Sequence, residues 1–225
     1  MLEPATPSEG LCVVHLFCRR TPRTDDEAVL AAVKKAEADD VQVVPVAILG
    51  HKAELCFMTL SADMWLLRDL QTGITGAGLE VVDSFVSITE LSEYALGLPE
   101  EMANMRLYPE LPPPEKPAWC FYPMTKRRNV DQNWYELPFD DRKELMHEHG
   151  TSGRKFAGRI VQLITASTGL DDWEWGVTLF GQRIDDLKDT VYTMRYDRAS
   201  AVYAEFGDFY TGLVGSIDDI LARTR

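Results

Sequence analysis

The sequence predicts an α+β protein made of two ferredoxin-like halves, each with the element order β-α-β-β-α-β, whose sheets pack face to face to form a barrel-like pair. The same order of strand and helix patterns occurs twice along the 225 residues, and a proline-rich segment at 109–117 separates the two copies. The composition, 45% hydrophobic and 26% charged, is that of an ordinary globular chain. We therefore expect an N-terminal half over residues 1–108, a linker over 109–117 and a C-terminal half over 118–225.

Apolar runs and helical spacing place the elements of the N-terminal half. The first helix begins after Asp25 and Asp26, which are acids suited to a helix N-terminus. The second is predicted to be capped by Ser61 and to end in a turn at Gly76 and Gly78. The predicted strands are residues 11–18, 41–49, 53–60 and 79–88.

The C-terminal half repeats this order after the linker. One helix is predicted over residues 138–149, started by Pro138 and stopped by Gly150, and another over 184–194. The predicted strands are residues 118–124, 159–167, 173–180 and 209–214.

Charge is distributed unequally between the two parts of the chain. The formal net charge is −13, which disfavours binding of nucleic acid through overall charge. Residues 1–112 hold 18 acids and 8 bases, whereas residues 113–225 hold 18 acids and 15 bases. This difference is either chance variation on a solvated surface or the mark of a local anion site in the second half.

The termini and cysteines indicate a compartment. The N-terminal segment has no basic stretch before a long apolar run, so no signal peptide is expected, and no stretch is apolar for the length of a membrane span. Cys12, Cys18, Cys56 and Cys120 form no metal-binding or CxxC spacing and suit a reducing environment. We expect a soluble cytoplasmic protein.

His149 is the first candidate functional residue. It shares a helix face with the apolar Leu145 and Met146, whereas His147 points away, so a zinc site from the two histidines is not expected. The pattern leaves two interpretations open. His149 is either a core histidine with satisfied hydrogen bonds, or an axial iron ligand whose basicity is raised by the helix C-terminus.

Two further features do not fit an ordinary core. Gln162 falls in an apolar strand row with Ile160 and Ile164, so its amide either bonds to neighbouring backbone or lines a cavity. Residues 126–128 (KRR) follow the end of a strand directly. They are either a solvated loop or a clamp for carboxylates or phosphates.

The second half of the chain contains several long, ordered motifs. They are residues 121–128 (FYPMTKRR), 133–138 (NWYELP), 146–158 (MHEHGTSGRKFAG), 168–180 (TGLDDWEWGVTLF) and 192–212 (YTMRYDRASAVYAEFGDFYTG). These motifs resemble the chlorite-dismutase-like haem protein family, and look most like its coproheme decarboxylases. The N-terminal half carries a shorter match at residues 49–60 (LGHKAELCFMTL). The resemblance implies a chlorite-dismutase-like pair of ferredoxin-like halves and a homopentamer.

The resemblance implies a role for each matching residue. His149 corresponds to the proximal ligand of the haem iron. Tyr122 corresponds to the tyrosine whose radical attacks a propionate, and Lys126 to a lysine that contacts a propionate. The implied cofactor is iron coproporphyrin III, which is also the substrate and becomes haem b.

Three other positions match residues around the porphyrin. Gln162 corresponds to the glutamine on the distal side, opposite the axial ligand. Arg106 and Ser200 correspond to residues that contact propionates. The sequence departs from the family at Val86, where relatives often have a tyrosine, so one propionate hydrogen bond is expected to be missing or replaced.

The activity that the resemblance implies is hydrogen-peroxide-dependent decarboxylation of two propionates of coproheme to vinyl groups. Chlorite dismutation is the enzymatic alternative, and it is disfavoured because a neutral amide at Gln162 replaces the arginine of chlorite-degrading relatives. Two non-enzymatic classes also stay open, a haem-binding or haem-sensing protein and a structural module without porphyrin. The implied partners are coproheme, peroxide, further copies of the chain and, transiently, a ferrochelatase.

Overall fold

The N-terminal half folds in the predicted order. The structure, a computed structural model, describes residues 3–95 and 97–224. Its first elements are β1 (Cys12–Arg19), α1 (Asp26–Ala38), β2 (Gln42–Leu49), β3 (Leu55–Ser61), α2 (Met64–Gly76) and β4 (Glu80–Thr89). A short helix that the sequence analysis did not predict follows, α3 (Glu100–Leu107).

The C-terminal half repeats the order with small additions. A two-stranded hairpin follows its first strand, and a short helix and strand precede its last strand. The elements are β5 (Ala118–Lys126), β6 (Arg128–Asn129), β7 (Gln132–Asn133), α4 (Phe139–Arg154), β8 (Ile160–Ala166), β9 (Trp175–Gly181), α5 (Ile184–Met194), α6 (Arg198–Ala201), β10 (Ala204–Phe206), β11 (Tyr210–Val214) and α7 (Ile217–Arg223).

Within the described residues, nine strands form one closed antiparallel sheet, and β6 and β7 pair with each other separately. The order of the nine strands is β10-β5-β11-β2-β3-β1-β4-β8-β9, and β9 pairs back with β5. The two halves hydrogen-bond edge to edge, β11 with β2 and β4 with β8. Because β9 pairs back with β5, the described strands of the main sheet present no long unpaired edge. The predicted α+β barrel is therefore confirmed. The sequence predicted face-to-face packing of the two sheets, and the hydrogen-bonded pairing of their edges is a further feature that it did not predict.

Two predicted element boundaries are wrong. Ser61 is the last residue of β3, and the cap of α2 is Asp63, whose carboxylate accepts a hydrogen bond from the Trp65 N–H. Gly150 does not stop α4, which continues to Arg154. A glycine within a helix costs about 1 kcal/mol relative to alanine, and the packing of α4 on α5 and α6 offsets this cost.

Buried side chains form separate layers inside and outside the barrel. The interior is aromatic and aliphatic, with Phe17, Phe85, Trp119 and Phe121 among its members. On the outer face of the N-terminal strands, helices α1, α2 and α7 pack over the sheet and enclose a second core that includes Val33. The N-terminal half is therefore filled on both faces of its sheet.

The two halves differ in how their second strand is covered. In the N-terminal half, α1 and α7 pack on β2, which is almost entirely buried. In the C-terminal half, α4 packs on α5 and α6, and the outer face of β8 stays exposed at Gln162 and Ile164. An exposed apolar strand face beside a polar amide is unusual on a monomer surface. The C-terminal half therefore leaves exposed on β8 an outer face that the N-terminal half covers on β2.

His15 provides a pH-dependent test of the barrel interior. It is fully buried, and burial lowers its pKa to about 3, well below the ~6.5 of an unfolded histidine. The unfolded chain therefore takes up a proton as pH falls below 6.5, while the native chain does not until about pH 3. We expect the native state to lose up to about 1.4 kcal/mol of stability per pH unit across this range.

Urea unfolding at pH 7 and pH 5 measures this effect. The His15→Leu variant is the control, because subtracting its pH dependence removes the contribution of all other titrating groups. Equal pH dependence in the two proteins would show that His15 is not held neutral.

Candidate functional site

His149 lies on α4 and its ring is fixed by a buried carboxylate. Its Nδ1 lies 3.0 Å from Oδ2 of Asp197, and the aspartate side chain is completely buried. Leu145, one helical turn before His149, packs with Trp134 and Ala199 and holds α4 against α6. The apolar face seen in the sequence therefore positions His149 rather than burying it, and a quarter of its side chain remains exposed.

Asp197 is held in place by the helix that it caps. It is the N-cap of α6, and its Oδ1 accepts a hydrogen bond of 2.9 Å from the Ser200 N–H. Burial raises the pKa of the Asp197 carboxyl, but the hydrogen bonds from His149 and Ser200 outweigh it, and the net shift is downward. A charged carboxylate therefore faces the imidazole and favours the tautomer with a proton on Nδ1.

Ser200 lies against the same side of the imidazole. Its Oγ is 3.4 Å from Nδ1 of His149, and the residue is buried. The family resemblance predicts a propionate contact for Ser200, and in this structure its hydroxyl lies beside the His149–Asp197 pair. Nε2 of His149 makes no hydrogen bond to any residue that the structure describes, and so is free to bind a ligand.

Lys126, at the end of β5, is a buried cation. Its Nζ donates a hydrogen bond of 2.9 Å to the carbonyl of Ala199 and lies 4.1 Å from the centre of the Trp134 ring. Burial lowers the pKa of Lys126 to about 8, although Asp197 and Glu174 raise it in part. The lysine is therefore poised to exchange one carbonyl partner for a stronger anionic one.

Glu174 and Trp134 support Lys126 and were not identified from the sequence. The buried Glu174 carboxylate accepts a hydrogen bond of 2.8 Å from the Lys126 N–H. It also raises the pKa of Tyr135, after the larger effect of burial. Trp134 presents its ring to the ammonium group. The only signal in the sequence for Trp134 was its place in the NWYELP motif.

Tyr122 and Gln162 lie on the outer face of the C-terminal sheet. Tyr122 is buried on β5, where Phe209 stacks on its ring at 4.4 Å and Phe206 lies 5.8 Å away. Burial raises the pKa of its phenol. Val177 on β9 pairs with Tyr122 of β5 on one side and with Ile164 of β8 on the other. Ile164 is two residues from Gln162 along β8, so both point to the same face. The two predicted site residues therefore share one sheet face, on strands separated by β9.

Arg106 shows no contact with the other predicted site residues within the described part of the chain. It is exposed in the last turn of α3, and makes no hydrogen bond or ion pair with the described residues. The backbone N–H of Val86 is already bonded, because it donates a hydrogen bond of 2.9 Å to the Asp171 carboxylate.

Replacing Asp197 by alanine tests the pairing with His149. We expect Asp197→Ala to lose the cap of α6 and to leave Nδ1 unpaired, which together lower the free energy of unfolding by about 2–4 kcal/mol. Urea unfolding at pH 7 measures the loss. The matched control is Asp25→Ala, because Asp25 caps α1 without contacting a histidine. Equal losses in the two variants would show that Asp197 acts as a cap only.

The fold and site together define a class of protein. The chain is a two-repeat α+β barrel in which the second strand is covered in the N-terminal half and exposed on its outer face in the C-terminal half. The C-terminal half also presents a histidine that is oriented by a carboxylate, as metal-ligating histidines are. Residues 23–215 match the family model described as chlorite dismutase. The chain belongs to the chlorite dismutase family.

Individual relatives agree with this membership. The chain is 40% identical, over 93% of its length, to a protein of Natronomonas pharaonis whose name provisionally describes it as heme-binding. It spans about 40% of the length of that relative. A solved structure of a novel heme-binding protein from Thermus thermophilus is 34% identical, with a TM-score of 0.87 and coverage of 100% of this chain and 99% of the other.

More distant structures share the fold. A mutant chlorite dismutase from Candidatus Nitrospira defluvii is 18% identical, with a TM-score of 0.76 and coverage of 97% of each chain. None of the helices in the described ranges is long and apolar enough to cross a bilayer.

Proposed function

We propose that this chain binds iron coproporphyrin III between α4 and the outer face of β8 and, with hydrogen peroxide, converts two of its propionates to vinyl groups, giving haem b. The observation that carries the proposal is the buried Tyr122 on the same sheet face as Gln162. A protein that only carried haem would need the imidazole but would have no use for this phenol.

The residues present fit an iron porphyrin. No cluster of three or more His, Cys, Asp or Glu side chains in the described part of the chain could hold a metal ion. A metal at Nε2 of His149 would thus bring most of its ligands with it, as porphyrin iron does. Nδ1 is bonded to Asp197, so the free nitrogen is the one that would bind iron. The heme-binding description of two relatives supports the same ligand class.

The bound iron porphyrin would supply the oxidising chemistry with peroxide and would also carry the reacting propionates. Tyr122 is proposed to give up an electron and its phenolic proton and then to remove a β-hydrogen atom from the propionate, whose carboxyl group leaves as carbon dioxide to give the vinyl group. The two electrons removed per propionate would reduce one hydrogen peroxide to water. The raised pKa keeps the Tyr122 phenol protonated until that step. Phe206 and Phe209 hold the ring and exclude water from it.

Lys126 is proposed to bind a propionate carboxylate in place of the Ala199 carbonyl. The substrate has four carboxylates, and the bases of this acidic protein are concentrated in residues 113–225. Arg106 and Ser200 are the other proposed propionate contacts. To contact a propionate, each side chain would have to move toward the porphyrin or the porphyrin would have to reach it, because Arg106 is exposed on α3 and Ser200 faces His149.

The lowered pKa of Lys126 makes substrate binding pH-dependent. Because the charged ammonium binds the carboxylate, affinity should be retained at pH 7 and should fall as pH rises through about 8, rather than near 10.5. Fluorescence quenching by coproheme between pH 7 and 9.5 measures this dependence. In Lys126→Met the weakening between pH 7 and 9.5 should disappear, and an unchanged profile would remove Lys126 from the substrate site.

One experiment separates decarboxylation from the competing functions. Purified protein is mixed with iron coproporphyrin, hydrogen peroxide is titrated, and porphyrin masses are followed. Two successive losses of a carboxyl group support the decarboxylase. Tight binding without a mass change supports a haem carrier or sensor, and no binding supports a structural module. Oxygen release from chlorite would support chlorite dismutation, which the neutral Gln162 disfavours because it carries no charge to hold the anion.

Assembly and location are proposals that rest on the family resemblance. We propose a homopentamer in the cytoplasm that receives coproheme through a transient contact with a ferrochelatase. Sedimentation analysis of the purified protein tests the pentamer directly.

A further inference from the structure

Glu174 is a buried acid beside Lys126 to which the proposed reaction gives no role. It lies directly before β9. Its backbone N–H donates a hydrogen bond of 3.1 Å to the carbonyl of Met124, on β5, and its carbonyl accepts one of 2.8 Å from the N–H of Ser167, which follows β8. The main chain of Glu174 is therefore fixed between the two strands that flank β9.

The Glu174 carboxylate takes the place of a strand partner. β9 pairs with β5 as far as Met124, opposite Trp175, so Lys126 lies beyond the paired part of β9. Oε2 of Glu174 instead accepts a hydrogen bond of 2.8 Å from the Lys126 N–H. An uncharged acceptor would serve the main chain equally well, and a buried carboxylate costs more to desolvate. The charge of Glu174 therefore indicates a role beyond strand pairing.

The same carboxylate holds the turn that packs on the lysine side chain. The Tyr135 hydroxyl donates a hydrogen bond to it, and this bond adds to burial in raising the pKa of the phenol. Trp134, the preceding residue, places its ring centre 4.1 Å from Nζ of Lys126. Glu174 thus connects the main chain of Lys126 to the turn over residues 134–136, which supplies the ring partner of the ammonium group.

Two acids act on the Lys126 ammonium group from different elements. Asp197, at the start of α6, and Glu174, before β9, both raise the pKa of the lysine against the larger effect of burial. Asp197 is already bonded to the candidate axial histidine. On β10, which pairs with the end of β5, Glu205 forms an ion pair of 3.5 Å with Arg127 instead. Among the described residues Glu174 forms no ion pair of its own, so its charge is available to the ammonium group.

We propose that Glu174 is a positioning residue of the Lys126 site, whose carboxylate joins the end of β5 to the 134–136 turn and supplies the negative charge that accompanies the buried ammonium group. This inference rests on the proposed binding of a propionate by Lys126. With Glu174 present, the lysine is already a cation when the propionate arrives, and it exchanges the Ala199 carbonyl for a carboxylate without first taking up a proton. A neutral side chain at position 174 would leave more of the lysine uncharged near neutral pH.

Glu174→Gln removes the charge and keeps the shape. The amide oxygen can still accept from the Lys126 N–H, and the amide nitrogen can donate to the Tyr135 hydroxyl. Carbon-13 NMR of the lysine side chains in the porphyrin-free protein measures the titration of Lys126, and Lys126→Met gives the assignment. We expect a midpoint near pH 8 in the wild type. In Glu174→Gln the midpoint should be lower by about half to one pH unit.

Glu205→Gln is the matched control for the loss of an acid near the end of β5. Glu205 pairs with Arg127, so its replacement should leave the Lys126 midpoint unchanged. Equal midpoints in Glu174→Gln and the wild type would overturn the proposal. A fall of the same size in Glu205→Gln would also overturn it, because the effect would then follow from overall charge.

Coproheme binding carries the test to the site itself. The affinity at pH 8 divided by the affinity at pH 6.5 should be about two- to fourfold lower in Glu174→Gln than in the wild type, because less of the lysine is charged at the higher pH. The ratio cancels any uniform effect of the substitution on packing. A lowered midpoint with an unchanged ratio would overturn the positioning role. Absence of coproheme binding by the wild type would overturn the proposed function, whereas an unshifted NMR midpoint overturns the role of Glu174 alone.

Tyr135→Phe tests the connection to the turn without removing a charge. Tyr135 is exposed and its ring is kept, so the variant should fold. We expect the Lys126 midpoint to stay at its wild-type value, while coproheme affinity falls about three- to tenfold at pH 6.5 and pH 8 alike, the scale of one lost hydrogen bond. Wild-type affinity in Tyr135→Phe would show that the carboxylate does not hold the turn, and would overturn that part of the proposal.

Discussion

Tyr122→Phe should bind iron coproporphyrin as tightly as wild type yet lose peroxide-dependent decarboxylation by about two orders of magnitude or more, the scale on which removal of a catalytic group acts. The substitution removes one oxygen and keeps the ring. The stacking of the ring at position 122 on Phe209 and its contact with Phe206 should persist, so the surroundings of this ring should keep their shape.

The measurement is the rate of porphyrin mass loss under peroxide, together with the affinity from a titration. Tyr192→Phe is the matched control, because Tyr192 is an exposed phenol on α5 whereas Tyr122 is buried. The control should keep full activity. Full activity in Tyr122→Phe would contradict the proposed mechanism, although it would leave porphyrin binding intact.

His149→Ala should lose the axial imidazole signature of bound haem and weaken porphyrin binding by about 10–100-fold, the range seen when the support of a metal ligand is lost. Exogenous imidazole should restore the axial spectrum in the space left by the side chain. The physical reason is that Nε2 is the unpaired nitrogen of a ring whose other nitrogen is committed to Asp197.

His147→Ala is the control for this variant. His147 is exposed and lies two positions before His149, so its side chain projects from a different side of α4. Its haem spectrum should match wild type. A normal axial spectrum in His149→Ala would refute the ligand assignment, and loss of the spectrum in both variants would indicate damage to α4 rather than loss of a ligand.

Local pattern was sufficient for most elements of the fold. The helix predicted over residues 184–194 has those bounds in the structure, because its apolar residues recur at helical spacing without interruption. The errors occur where tertiary packing outweighs a local preference. Gly150 reads as a stop signal but lies within α4, and Ser61 reads as a cap but pairs in β3. Helix α3 was missed because its residues carry little apolar periodicity.

The site was predictable in its residue types and not in its connections. The sequence pattern identified His149, Gln162 and Lys126 as unusual, and the family motifs gave expected roles to these residues and to Tyr122. It could not place Asp197, which lies 48 positions from His149, or Glu174, which lies 48 positions from Lys126. Such pairs depend on which strands and helices meet, and neither residue stands out from its neighbours in the chain.

The sequence by itself determined the repeated element order, the family motifs and the concentration of bases in the second half. Only the tertiary structure decided that the halves join by edge-to-edge strand pairing, and that β8 of the C-terminal half stays exposed on its outer face whereas β2 of the N-terminal half is covered. That difference arises because α1 and α7 cover β2, whereas α4 packs on α5 and α6 and leaves the outer face of β8 exposed. Coverage of a strand depends on long-range packing, and two halves with the same local pattern can therefore differ in whether they hold a site.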